Sequence, residues 1–66
     1  MWKVIIIVCI LGNPCVLMHE DPIKHYENVN DCTKVAETKH NQIIDVYSTH
    51  GYFIEYSEFK CKEDIQ

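Results

Sequence analysis

The sequence predicts a small disulfide-stapled α+β fold, in which a short β-hairpin packs on a short C-terminal helix. Three observations support this prediction. A chain of 66 residues buries only a small core and commonly needs a covalent staple. Two runs rich in β-branched and aromatic residues flank Gly51, as the strands of a hairpin flank their turn. Ser57 then opens a segment with the pattern of an N-capped helix.

The N-terminal segment is typical of a secretory signal peptide. Lys3 is followed by the apolar run 4–11, and Gly12-Asn13-Pro14 ends that run. The run is too short to span a membrane, which takes about 20 apolar residues. Because signal cleavage favours a small residue before the cut, we expect cleavage after Cys15 and removal of residues 1–15. An uncleaved anchor and a buried strand of a cytosolic protein are the alternatives.

The charge balance narrows the classes of partner. The chain has six lysines, no arginine and ten carboxylates, for a net charge of −4 with neutral histidines. An acidic chain without arginine is poorly suited to phosphate backbones or anionic lipid surfaces. We therefore expect no nucleic-acid partner and, after signal cleavage, no membrane partner. The expected product is a secreted, extracellular monomer.

Cleavage would leave two cysteines in the mature chain. In a short secreted protein an even number of cysteines indicates a disulfide, here between Cys32 and Cys61. Closing a loop of roughly 30 residues contributes about 3.5 kcal/mol on the chain-entropy description. The alternative is that both thiols pair with other chains. A zinc site is disfavoured because no Cys or His lies at short ligand spacing from either cysteine.

The first part of the mature chain shows little regular pattern. Residues 19–30 are polar, contain Pro22 and lack a sustained hydrophobic period, so we expect residues 16–30 to form an extended or mobile arm. Asn30 or Asp31 is then expected to cap a short helical turn over residues 32–36.

The second part has the clearest local signals. Residues 43–47 and 52–56 are the expected hairpin strands, and Gly51 supplies the positive φ that such a turn needs. Ser57 is the expected N-cap of a helix over residues 58–65, with a carboxylate in its first turn.

Two cysteines and a hairpin motif are similar to those of a known family. Between Cys32 and Cys61 the chain has Val46, Thr49 and Gly51. A known hairpin motif has the same order of valine, threonine or serine, and glycine. This stretch resembles the Kazal-type serine protease inhibitor domain, in which six cysteines surround a small hairpin and one helix. If Cys32 takes the first cysteine position, Cys61 falls at the fifth, and these two are bonded in the family.

The resemblance implies a protease-contact loop and a lost disulfide. The loop that enters the protease would be His40, Asn41 and Gln42, with Asn41 in the specificity pocket. The second and fourth cysteine positions fall at Lys39 and Glu58, so an ion pair would replace a cross-link. An exposed ion pair contributes roughly 0–1 kcal/mol, far less than a disulfide. The resemblance therefore implies a diverged inhibitor with weak or lost inhibition.

Residues 31–66 are accordingly expected to form a degenerate Kazal-like domain whose partner is a serine protease. The alternative function is a secreted signalling or effector peptide, of the venom, salivary or reproductive-fluid type, that binds an extracellular receptor. Aromatic residues concentrate at interface hot spots, but they also fill small cores. The candidates for both roles are Tyr47, Tyr52, Phe53, Tyr56 and Phe59.

Metal and enzyme functions are not expected. The separations of the histidines match no metal-ligand motif, so we expect solvated surface side chains and no cofactor. Pairing a serine or threonine with His50 would still lack an oriented base and an oxyanion site, which a chain of this size rarely builds. The histidines considered are His19, His25, His40 and His50.

Overall fold

The computed structural model describes residues 1–64 and has a ββαβ order of elements. The strands form one antiparallel sheet in the order β2-β1-β3, and the helix packs on one face of it. The elements are β1 (Trp2–Ile10), β2 (Val16–His19), α1 (Val29–Thr49) and β3 (Ile54–Glu63). The predicted class, a small disulfide-bonded α+β fold, is confirmed. Among the described residues, no helix is long and apolar enough to cross a membrane.

Strand β1 is the centre of the sheet. Val4, Ile6 and Val8 alternate along it and are buried against Cys32 and Ala36 of α1. Full burial of a side chain of this size contributes about 1.5–3 kcal/mol. The run that resembles a secretory segment is therefore also the strand with which both neighbouring strands pair.

This position bears directly on the expected removal of residues 1–15. A chain cut after Cys15 would lack β1 and could not form this sheet. Cleavage after Cys15 remains a prediction. It is incompatible with the fold described here.

The two faces of the sheet differ because helix α1 packs on only one of them. In the β1–β3 register Ile5 lies opposite Lys60 and Ile7 lies opposite Glu58. Directly opposed residues of an antiparallel pair share a face. Because Val4 and its alternating neighbours face α1, these four residues lie on the opposite face of the sheet.

Helix α1 replaces both the short helical turn and the first hairpin strand of the sequence prediction. Its N-cap is Asn28, whose side chain accepts a 2.7 Å hydrogen bond from the Asn30 backbone N–H. The helix is 21 residues long and includes residues 43–47, so the predicted hairpin is wrong. The reason is that Ile43, Ile44 and Tyr47 also continue, at helical spacing, the apolar face that begins at Cys32 and Ala36.

Strand β3 lies where a C-terminal helix was expected, so that prediction is wrong as well. Ser57 pairs with Val8 in the sheet and caps no helix. Phe59 and Cys61 pack against the core, whereas Lys60 and Lys62 are exposed, which is the period of two that defines a half-buried strand. Ile65, the last residue of the predicted helix, lies outside the described residues.

The expected polar arm is largely tied to the sheet. Residues 16–19 form β2, and a second attachment follows it: Trp2 and Tyr26 exchange backbone hydrogen bonds of 2.7 and 2.8 Å. Glu20 is only 8 % exposed, and its two carboxylate oxygens accept from the Tyr26 hydroxyl, each at 3.1 Å. Of the two predicted states, extended or mobile, residues 16–19 adopt the extended one.

Two disulfides staple the fold. Cys32–Cys61 links α1 to β3, as predicted, with a Cα–Cα distance of 6.2 Å. Cys9–Cys15 closes the turn between β1 and β2, and it was not expected because both cysteines were assigned to a discarded segment. All four cysteines are therefore bonded within the chain.

Candidate functional site

The candidate site is a cleft at one end of the molecule, where the β1–β2 turn approaches the C-terminus of α1. We call this region, residues 9–16 and 45–55, the aromatic end. The two segments are joined by a 2.9 Å hydrogen bond from the Leu11 backbone N–H to the Phe53 carbonyl. The cleft has a volume of about 490 Å³, and its lining consists of Ile10, Asn13, Pro14, Cys15, Val16, Tyr47 and Tyr52.

One wall of the cleft is fixed by the way α1 ends. The Tyr52 N–H donates to the Tyr47 carbonyl and the Gly51 N–H donates to the Ser48 carbonyl, each at 3.1 Å. These are the two hydrogen bonds of a Schellman motif, which requires a left-handed residue, and Gly51 has φ +86°. An apolar contact across the motif is common, and here it is a contact between two aromatic rings. The Tyr47 and Tyr52 ring centroids lie 5.5 Å apart.

The other wall is the β1–β2 turn. The Cys9–Cys15 disulfide closes this turn six residues apart, and Gly12 within it has φ +83°. A loop of this length that is closed covalently has few conformations available. The turn therefore holds Pro14 and Cys15 against the cleft as a preformed surface.

Several apolar side chains of the aromatic end are exposed, among them Tyr52 and Val16, which line the cleft. Phe53 is 67 % exposed and Leu11 is 57 % exposed, and Val46 and Tyr52 are about half exposed. Single exposed apolar residues are ordinary, but a cluster beside a cleft indicates a binding surface.

The charge of the aromatic end is one-sided. No lysine occurs in residues 4–23 or 40–59, so all six lysines lie outside it. Its two ionisable carboxylates, Asp45 and Glu55, are both exposed. The cleft can thus bind an apolar group and favours neighbouring positive charge.

The aromatic residues singled out in the sequence divide between the core and this surface. Tyr47 and Phe59 pack against the core, whereas Tyr52, Phe53 and Tyr56 are more than half exposed. The contributions of Leu11 and Cys15 were missed because the whole segment had been assigned to a signal peptide. Val4, Ile5, Ile6 and Val8 are all buried and every residue of the run is apolar, so neither burial nor hydropathy alternates in residues 4–8.

The residues proposed as a protease-contact loop lie elsewhere. His40, Asn41 and Gln42 are in the middle of α1. The imidazole Nε2 of His40 lies 2.8 Å from the Ser57 hydroxyl, and its ring packs against Phe59 with centroids 5.2 Å apart. A helical backbone differs from the extended backbone that a substrate-like loop presents.

The ion pair that the resemblance implies between Lys39 and Glu58 is not formed. Glu58 lies on the face of β3 away from α1, where it accepts a 2.6 Å hydrogen bond from the Tyr56 hydroxyl. Its ammonium neighbour is Lys60, at 3.9 Å. Lys39 is on the helix, on the other side of the sheet.

The opposite end of the molecule holds a small ionic cluster. His25 Nε2 lies 2.7 Å from the Asp64 carboxylate and Lys3 Nζ lies 3.9 Å from it. The hydrogen bond with His25 holds the pKa of Asp64 below its ordinary value. In residues 1–64 no three His, Cys, Asp or Glu side chains are arranged to hold a metal ion.

Tyr26 is a second group whose pKa departs from its ordinary value. Partial burial raises the pKa of its hydroxyl, and the hydrogen bond to Glu20 raises it further. Because the phenol stays protonated, it remains a donor to the buried carboxylate throughout the ordinary pH range. The pair attaches the segment after β2 to the sheet.

Comparison of the chain with protein-family models, curated proteins and solved structures gave no significant match.

Proposed function

We propose that this chain is an extracellular binding protein whose aromatic end captures an apolar side chain of a protein partner that also carries basic residues. The observation behind the proposal is the preformed cleft with its exposed apolar rim. Two intrachain disulfides support an oxidising compartment. The receptor-binding alternative of the sequence analysis is thereby preferred, with the aromatic end in place of a general aromatic face.

Preorganisation favours this surface over other parts of the molecule. The Schellman motif fixes the Tyr47–Tyr52 wall, and the Cys9–Cys15 disulfide fixes the opposite wall. A surface that is already ordered loses little conformational entropy on binding, so more of the contact energy appears as affinity. The cleft volume suits one large apolar or aromatic side chain with its backbone neighbours.

The charge of the partner follows from the charge of the aromatic end. Asp45 and Glu55 are exposed there, and no lysine lies on either of its segments. A partner peptide with Lys or Arg beside its apolar anchor gains favourable Coulomb energy, whereas an acidic peptide is repelled. Binding is accordingly expected to weaken as salt screens these charges.

A peptide-display selection tests the proposal. Random peptides are selected on the oxidised full-length protein, and the affinity of the selected peptides is then measured for matched variants. We expect peptides with an aromatic or large aliphatic residue beside Lys or Arg. Their binding should weaken at least about tenfold in Leu11→Ser and Phe53→Ser, the usual cost of losing an interface anchor.

The matched control is Ile23→Ser, because Ile23 is also an exposed aliphatic residue but lies outside the aromatic end. Its affinity for the selected peptides should equal that of the unchanged protein. Equal binding by the Leu11 and Phe53 variants, or selection of acidic peptides, would contradict the proposal.

A diverged Kazal-like inhibitor remains the second hypothesis, favoured by the bond between the two cysteines that the resemblance pairs. It requires His40, Asn41 and Gln42 to contact a protease, although they are helical here. Assays against trypsin-, chymotrypsin- and elastase-like proteases test it. Inhibition that is lost in Asn41→Ala would support it.

A further inference from the structure

Strand β3 leaves one edge of the sheet without a partner in the described residues, because the strand order is β2-β1-β3. The Asp64 N–H donates to the Met1 carbonyl at 2.7 Å, whereas the backbone of Trp2 bonds to Tyr26 on the far side of β1. In an antiparallel pair such bonded and non-bonded positions alternate. The backbone groups of residues 57, 59, 61 and 63 therefore point away from β1, toward the open edge.

The side chains next to this edge form an ordered charge pattern. Along β3 the face opposite α1 presents Tyr56, Glu58, Lys60 and Lys62 in succession. The one carboxylate of the row, Glu58, precedes its two lysines. An antiparallel second copy presents the same residues in the reverse order, so its lysines can lie opposite the carboxylate of the first copy.

Only a few registers let two copies of β3 pair, because outward-pointing residues must oppose outward-pointing residues. A two-fold axis at Glu58 would place this carboxylate against its own copy, and an axis at Lys60 would do the same with two ammonium groups. An axis at Phe59 instead places Glu58 opposite Lys60 twice. It also places Tyr56 opposite Lys62 twice, where an ammonium group can contact a ring face.

We propose that this protein forms a symmetric dimer by antiparallel pairing of β3 with β3 of a second copy, centred on Phe59. Backbone hydrogen bonds then join Phe59 to its copy and Ser57 to Cys61 of the other chain. The pair that carries like charges, Glu55 opposite Glu63, falls at the ends of the ladder, where both side chains are exposed.

The helices are compatible with this arrangement. A two-fold axis perpendicular to the sheet keeps both copies of α1 on the same face, and α1 packs on both β1 and β3. With strands about 4.8 Å apart, the two helices would lie roughly 10 Å apart, a normal helix-packing distance. The aromatic end is not used, so the dimer would carry two copies of the proposed binding cleft.

Sedimentation equilibrium of charge variants tests the proposal. Glu58→Lys and Lys60→Glu each replace both attractive pairs with repulsive ones, so each variant alone should dimerise at least about tenfold more weakly than the unchanged protein. An equimolar mixture of the two variants restores opposite charges at every pair and should form a heterodimer. Glu27→Lys makes the same charge change at an exposed site outside β3 and should dimerise normally.

A protein that stays monomeric up to millimolar concentration, dimers that persist in both single variants, or a mixture that fails to associate would each overturn the proposal.

Hydrogen exchange gives an independent check of the register. Dimerisation should slow exchange of the Ser57, Phe59 and Cys61 amides and leave those of Glu58 and Lys60 unchanged, since these already bond to β1. Protection elsewhere would place the interface on another surface.

Discussion

Tyr47 and Tyr52 face each other across the end of α1, and the same two residues are joined by a backbone hydrogen bond from the Tyr52 N–H to the Tyr47 carbonyl. The motif that ends the helix thus also builds one wall of the cleft. Local backbone geometry and the proposed binding surface are therefore coupled through Gly51, which makes the turn possible.

Replacement of Gly51 should separate backbone strain from steric effects. A Cβ at this position would meet no atom within 4 Å, so the cost arises from its φ of +86° alone. We expect Gly51→Ala to lower the free energy of unfolding by about 1–2 kcal/mol and Gly51→Asn to lower it less, because Asn tolerates this conformation. Urea denaturation measures both. Equal stability of all three proteins would contradict the assigned motif, and Ser48→Ala on the exposed helix surface is the control.

The two disulfides should differ in their contribution to stability. Their cysteines are 6 and 29 residues apart in sequence. Chain entropy predicts a loss of about 2 kcal/mol for the double variant Cys9→Ala/Cys15→Ala and about 3.5 kcal/mol for Cys32→Ala/Cys61→Ala.

The effects on peptide binding should have the reverse order, with the larger loss of affinity in Cys9→Ala/Cys15→Ala. Opening the β1–β2 turn frees one wall of the cleft, so the first double variant should stay folded but bind the selected peptides poorly. Denaturation and peptide titration of the same samples report both effects. Unchanged binding without Cys9–Cys15 would show that the turn does not shape the site.

Removal of the Tyr26 hydroxyl should destabilise the attachment of the segment after β2. Tyr26→Phe leaves the buried Glu20 carboxylate without the hydrogen bonds seen here, which costs about 1–3 kcal/mol. Tyr56→Phe is a matched control because its hydroxyl also donates to a glutamate, but on an exposed part of β3. Thermal denaturation compares the two. A Tyr56 effect as large as the Tyr26 effect would contradict the importance of burial.

The pH dependence of stability should include a contribution from Asp64. Its folded-state pKa lies below the ordinary value of 3.8, so its stabilising contribution is present above that pH and is lost as the pH falls through the folded-state pKa. Asp64→Asn should therefore reduce the loss of stability below about pH 4. Parallel acid profiles for the Asp64 variant and the unchanged protein would refute this assignment.

Part of this fold follows from local patterns in the sequence and part does not. The positive φ of Gly51 was predictable because it depends on residue type more than on tertiary context. The Cys32–Cys61 bond was predicted only because the expected signal cleavage removes Cys9 and Cys15, since four cysteines allow three pairings that residue type does not distinguish. Residues 43–47 were assigned to a strand because β-branched residues favour strands, yet here they continue an apolar helix face. Tertiary packing outweighed the weak intrinsic preference.

The candidate site could not be predicted for a different reason. Residues 4–11 are all apolar, and an apolar run carries no periodicity that distinguishes a buried central strand from a targeting segment. Because the same pattern predicts a segment that is removed, it gives no indication that Leu11 and the Cys9–Cys15 turn belong to a site. The cleft is formed between this turn and residues about 40 positions later in the chain, and no local pattern encodes that proximity.

The intact mass and disulfide map of the protein isolated from cells that express its complete gene will show whether β1 belongs to the working molecule. We predict a chain that retains residues 2–10, with Cys9 linked to Cys15 and Cys32 linked to Cys61. A mature chain that begins at Val16 would contradict the account, because it would lack the central strand and one wall of the cleft.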